Sequence, residues 1–347
     1  MILEQESQLL AQIKEGQLWP VYLLYGEEQY LKELYSQKLQ EKAVGDAFPE
    51  LNLHQFDGTR LDMEQVAAAA EALPFLAQQR CVVISPFPYN SLSVRDKELF
   101  DQLLRSPAPT TVLILLVNDP DFLPKKNQKA KKLIAQVDKV GVVLELNRRS
   151  EGDMVKFLQK KAKDQGCAIS KELCRYLLER CESDMLTLSN EMEKLCAFAA
   201  AGEITREQID RVTVKAVSAR IYDLAKAILA RRGEQAMTIL QELLYLRYQP
   251  TVILSALSGA YLDLYIAKSA LEAGKGQAEI AQNFEYRGRD FVIRNSLRDS
   301  RNYSMATLRA SIACLADTDL RIKSSRADSS ILLEQAVTRL LLLAEEK

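Results

Sequence analysis

The sequence predicts an α/β domain on a parallel sheet covered on both faces, then a small helical domain and a larger all-α domain. Three observations predict it. Short, almost wholly apolar runs at Val21–Tyr25, Cys81–Ile84 and Thr111–Val117 read as strands buried on both faces. These alternate with helical patterns as far as residue 146. After Asn147-Arg148-Arg149 the strand pattern stops and 3.6-residue periodicity runs to the end.

Composition sets the frame. With 347 residues, the chain is too long for one ordinary core. It is 48% apolar and 27% charged, which makes it globular. A net charge of −1 means that any nucleic-acid contact has to come from a local patch. No apolar run reaches the roughly 20 residues of a membrane helix. The N-terminal segment is acidic where a leader would be basic, so a cytoplasmic protein with no membrane partner is expected. The six cysteines include no C-x-x-C and there is one histidine, His54; reduced, packed thiols and no metal are the expectation.

In order, residues 1–17 read as an amphipathic helix with Leu9, Leu10 and Ile13 inward. Val21–Tyr25 is a strand, followed by Gly26 and a helix from about Gln29 to Val44. Strand, glycine, helix is the layout of a phosphate-binding loop. That loop needs several glycines, a lysine and a hydroxyl. Here Gly26-Glu27-Glu28 puts two carboxylates where phosphate would sit, and Lys32 reads as too far along the helix without glycines around it. The layout survives and the site does not, so no cofactor is expected.

A strand over Leu51–Phe56 carries His54 on one face, with no catalytic role. A helix from about Leu61 ends near Ala72, because Pro74 pushes Leu73 out of the helical region. Phe75 and Leu76 follow, then a polar link into Cys81–Ile84. A loop pair of this kind either folds back to cap the core or is displayed as a plug for a partner's pocket; the residues alone favour the first. Arg95–Arg105 reads as helix, Thr111–Val117 as the most apolar strand, and Val142–Leu146 as the last. Between these two strands Pro124 opens a helix with Lys125, Lys126, Lys129, Lys131 and Lys132.

The small helical domain comprises Glu151–Gln165, a helix capped by Ser170, Met185–Ala200 closed by Gly202, and a short helix with a Thr205/Gln208 capping box. From about Thr213, helical runs at 221–229, 236–246, 252–271, 291–297, 307–320 and 331–342 form the last domain. The stretch Arg287–Arg309 holds six arginines, read as a solvated helix face.

At this point the residues become specific. VYLLYGEEQYLKEL, ALPFLAQQRCVVI, SDMLTLSNEMEKLCAFA, IYDLAKAILARRGEQAMTILQELL and LADTDLRIKSSRADSSILLEQAV occur in order between about residues 20 and 342. Together they resemble the delta-subunit family of the bacterial DNA polymerase III clamp loader. The resemblance implies an AAA+-like α/β domain over 1–146 with a degenerate phosphate loop at Gly26. It also implies a helical lid over 147–212 and a helical collar over 213–347. Family members bind the ring-shaped sliding clamp (the beta subunit) and favour its opened form. They do so beside ATP-binding neighbours, so no intrinsic catalysis is implied, although the holoenzyme is a DNA-directed DNA polymerase. The implied partners are the clamp, the tau/gamma and delta prime subunits through the collar, and primer-template DNA in the assembled loader.

By position, the family's clamp-binding plug is Phe75 and Leu76, with Leu73 and Pro74 shaping the loop; this reverses the reading from the residues alone. Many relatives carry an aromatic where Leu76 stands, and a leucine fills an apolar pocket with less contact. Lys125, Lys126 and Lys129 are the candidate DNA-facing residues. Two rivals remain. An active AAA+ ATPase is opposed by the missing glycine–lysine–hydroxyl set. A DNA-binding regulator would need the 287–309 arginines on one free helix face.

Overall fold

The architecture follows from where the apolar runs can be buried. In the computed structural model, which describes all residues except 4, 47, 182–183, 285, 287–289 and 345–347, the chain forms two compact units, Met1–Arg148 and Arg149–Lys347.

The first unit runs β1 (Ile2–Leu3), α1 (Glu6–Glu15), β2 (Val21–Tyr25), α2 (Gln29–Ala43), α3 (Pro49–Asn52), β3 (Leu53–Asp57), α4 (Met63–Glu71), β4 (Arg80–Ser85), α5 (Val94–Arg105), β5 (Thr111–Leu116), α6 (Gln128–Val140) and β6 (Val142–Glu145). The strands form one parallel sheet in the order β1-β6-β2-β5-β4-β3. Register pairs Leu23 with Leu115 and Val82 with Leu113, so the most apolar strands lie at the centre. Alternate residues point to opposite faces. Val21, Leu23, Val82, Ile84, Leu113 and Leu115 share one core with apolar residues of α4, α5 and α6. On α1 and α2, Leu9, Leu31, Tyr35 and Leu39 are buried, and α2 packs on β4 and β5.

Three local expectations change. Residues 1–17 are not one helix: Ile2 and Leu3 pair with Val143 and Leu144 as an edge strand, and α1 starts only at Glu6. The strand expected from Leu51 starts at Leu53, because Pro49–Asn52 makes one helical turn first. Pro124 does not open α6. Asn127 does, its side chain accepting from the Lys129 and Ala130 amides, so Lys125 and Lys126 lie in the preceding turn.

In the second unit, α7 (Glu151–Asp164), β7 (Cys167–Ala168), α8 (Lys171–Cys181), α9 (Met185–Ala199), β8 (Gly202–Glu203) and α10 (Arg206–Val212) come first. Strands therefore do not stop at residue 149: β7 and β8 form a two-residue parallel pair. Ser170 caps α8 through the Leu173 amide, and Thr205 and Gln208 form the expected capping box. The C-terminus of α9 is closed by Ala200 in the left-handed region rather than by Gly202.

Next come α11 (Val217–Leu229), α12 (Gly233–Tyr245), α13 (Pro250–Glu272), α14 (Gln277–Asn283), α15 (Asp290–Asp299), α16 (Met305–Ser324) and α17 (Ser329–Leu343). The sequence reading missed α14, a short helix after Gly276. By length and composition the 23-residue α13 could cross a bilayer. Here it is the axis of the C-terminal core, burying Ile253, Leu257, Tyr261 and Leu264 against α11, α16 and α17.

Burial raises the thiols of Cys81, Cys174 and Cys196 to about 12 and of Cys181 to about 11; Cys167 adds to the shift at Cys196. Thiolate is the reactive form. Alkylation of the folded protein is therefore expected to reach half-buried Cys314 first. The five buried cysteines should react only on unfolding, and peptide mapping after timed labelling checks this.

Candidate functional site: a filled phosphate loop and a displayed apolar loop

The turn after β2 keeps the strand–glycine–helix layout of a phosphate loop, with its lysine and helix N-terminus engaged by the chain itself. Gly26 adopts φ +117, and a Cβ there would lie 2.3 Å from the Leu146 carbonyl oxygen. Gly26→Ala should therefore lower stability by roughly 3–5 kcal/mol, measurable by urea unfolding. The Glu28 amide donates to the Leu146 carbonyl at 2.9 Å. Its carboxylate caps α2 by accepting from the Tyr30 amide at 3.3 Å, so an internal anion occupies the helix N-terminus.

The reading of Lys32 as too distant is corrected. Lys32 stands six residues after Gly26, the spacing of the phosphate-loop lysine, and its Nζ donates to the Gly26 carbonyl at 2.9 Å. A second bond goes to the Val117 carbonyl at 2.9 Å. The side chain is 2% exposed. Burial lowers its pKa, against the raising influence of Glu28 and Glu33. In the motif's terms, buried Leu31 stands where the second glycine would be, and Glu33 where the hydroxyl would be. The lysine that would hold phosphate instead ties the loop to the end of β5. Asn118 is exposed just beyond that tie.

The second feature lies between α4 and β4. Helix α4 ends at Glu71, and Ala72 is already extended ahead of Leu73-Pro74. Its last turn is pinned by the Thr111 hydroxyl donating to the Ala70 carbonyl at 2.7 Å. Beyond this anchor Leu73 is 82% exposed, Phe75 50% and Leu76 75%. The apolar residues do not fold back onto the core; they are displayed.

Sequence reasoning missed the mount. The buried Asn52 carboxamide donates from Nδ2 to the Phe75 carbonyl at 2.8 Å and accepts from the Phe75 amide at 2.8 Å. Phe48 sets its ring edge-on to Phe75 with centroids 5.4 Å apart. Phe48 and Leu51, both exposed, widen the apolar surface to five residues. A four-residue helix has too few positions to show periodicity, so only the Phe48-Pro49 pair hinted at a turn.

His54 also gains a place. The buried Arg80 guanidinium hydrogen-bonds its Nε2 and reaches the Leu51 carbonyl at 3.5 Å. The same Nε2 lies 3.2 Å from the Leu51 carbonyl oxygen, so Arg80 and His54 meet at the end of α3.

The basic stretches differ from one another. Lys125, Lys126 and Lys129 are exposed around the turn that starts α6, and Lys129 Nζ donates to the Asn90 carbonyl at 3.3 Å. Arg287 and Arg289 lie outside the described residues. Arg294 pairs with Glu151 at 3.0 Å and Glu179 at 3.3 Å, and Arg298 with Asp299 at 2.8 Å. These two arginines are engaged within the second unit, which weakens the picture of a free basic helix face.

Comparison with known proteins bears on family and fold. The family model for the delta subunit of DNA polymerase III matches residues 22–147, and the one for the C-terminal domain of that subunit matches 218–340. A model described as a middle domain matches 150–211. The chain is 27% identical over 337 residues to DNA polymerase III subunit delta of Bacillus subtilis, covering 95% of each. It is 24% identical over 304 residues to the probable delta subunit of Aquifex aeolicus, covering 83% of this chain and 84% of that one. A solved structure of the Bacillus subtilis DNA clamp loader delta protein superposes with a TM-score of 0.65 at 24% identity, covering 97% of this chain and 99% of that chain. That likeness establishes a shared fold. The chain belongs to the DNA polymerase III delta-subunit family.

Proposed function

We propose that this chain binds the sliding clamp through Leu73, Pro74, Phe75 and Leu76 and favours the opened ring, so that the clamp can be loaded onto primed DNA. The exposed apolar loop on a rigid base carries this reading. A ring is opened only by a ligand that binds the open state better than the closed one. Such a ligand needs apolar area to fill a pocket and a mount that does not give way, because ordering a slack loop would consume the binding energy. Nucleotide chemistry belongs to neighbouring subunits in this scheme, consistent with a phosphate loop filled by Lys32 and Glu28.

Residues 147–212 would act as the lid and 213–347 as the collar that joins the tau/gamma and delta prime subunits. Exposed Leu320, Ile331 and Leu342 on α16 and α17 offer apolar area for such contacts. Lys125, Lys126 and Lys129 would face primer-template phosphates in the assembled loader. The test is a clamp carrying a fluorophore pair across its subunit interface. Adding this chain without nucleotide should separate the pair; an unchanged signal at saturating chain would overturn the opening role.

A further inference from the structure

We infer that Asn52 is the positioning residue of the apolar loop, acting through the main chain of Phe75 to hold the plug in its docking geometry. The inference rests on the clamp-binding reading above.

Asn52 is wholly buried and sits at the end of α3, 23 residues from Phe75 in sequence. A carboxamide has the donor and acceptor of a peptide edge in one plane. Asn52 uses both on a single residue, accepting from the Phe75 amide and donating to the Phe75 carbonyl, each at 2.8 Å. The pair imitates one rung of a β-ladder and fixes the peptides on both sides of Phe75.

The surroundings need such a hold. Leu76, the next residue, has φ +47, and Phe48, which packs on Phe75, has φ +48. Both are non-glycine residues in the left-handed region, where a conformation persists only if its surroundings determine it. No other side-chain chemistry of this size serves both ends. Alanine serves neither, and aspartate keeps the acceptor but turns an oxygen toward the Phe75 carbonyl.

The experiment uses the full chain, with the cognate sliding clamp as probe. In Asn52→Ala the Phe75 amide should exchange with solvent at least about tenfold faster, and clamp affinity should fall about tenfold. Asn52→Leu, which refills the volume with neither donor nor acceptor, should show the same two effects, which covers the case in which Asn52→Ala fails to fold. If Asn52 acts through Phe75, either substitution should change clamp affinity little when added to Phe75→Ala/Leu76→Ala.

Unchanged Phe75 exchange, or additive losses of affinity in that cycle, would overturn the inference. If the wild-type chain does not bind the clamp, the clamp-binding reading fails by itself. Faster Phe75 exchange would then still support Asn52 as the loop's positioning residue, and unchanged exchange would refute it.

Discussion

Replacing Phe75 and Leu76 together by alanine is expected to weaken clamp binding about a hundredfold or more, with stability reduced by no more than about 1 kcal/mol. The size follows from area. Two large apolar side chains, 50% and 75% exposed in the free chain, would lose their solvent contact in a pocket. Scaled to that exposure, their burial is worth roughly 2–4 kcal/mol before the costs of association, and the truncated side chains would forfeit most of it. The small effect on stability follows from the same exposure: little of either side chain supports the fold beyond the Phe48 contact. Titration against the clamp and urea unfolding, run on the same preparation, separate the two quantities. Equal affinity with an intact fold would place the plug elsewhere.

Truncating Lys32 is expected to have the second large effect, on stability. Lys32→Ala removes the donor from two carbonyls, Gly26 and Val117, and leaves a void where α2 meets the ends of β2 and β5. Leaving a buried acceptor unpaired costs about 1–3 kcal/mol, so a loss of roughly 2–5 kcal/mol is expected. Lys32→Met, which refills the volume without a donor, should lose less than Lys32→Ala. Neither variant should bind ATP, since Glu28 still occupies the helix N-terminus and no hydroxyl stands at Glu33. Urea unfolding and equilibrium nucleotide binding check both statements. A stable Lys32→Ala protein would mean that the lysine is not the tie its geometry indicates.

Much of this fold is legible in the sequence because burial writes itself into local pattern. The central strands are apolar on both faces, so Val21–Tyr25 and Thr111–Leu116 stand out with no knowledge of their neighbours. The features that escaped depend on partners distant in sequence. Ile2 and Leu3 become a strand only because Val143 and Leu144 lie beside them. Cys167–Ala168 and Gly202–Glu203 are too short to show alternation. At the site, Pro74 announced the loop, but its mount is a side chain from α3 meeting the main chain of Phe75. Asn52 looks like any turn asparagine until the two segments are brought together. Lys32 was missed differently: its spacing from Gly26 was present, but without glycines nothing indicated that the lysine would turn back on its own loop.

The most direct measurement is equilibrium binding of the wild-type chain to its cognate sliding clamp without nucleotide, with ATP binding assayed alongside. Tight clamp binding and no ATP binding is the predicted result: the chain engages the ring through a surface that needs no nucleotide to be displayed. ATP binding without clamp binding would contradict it and return the chain to the class of active AAA+ ATPases.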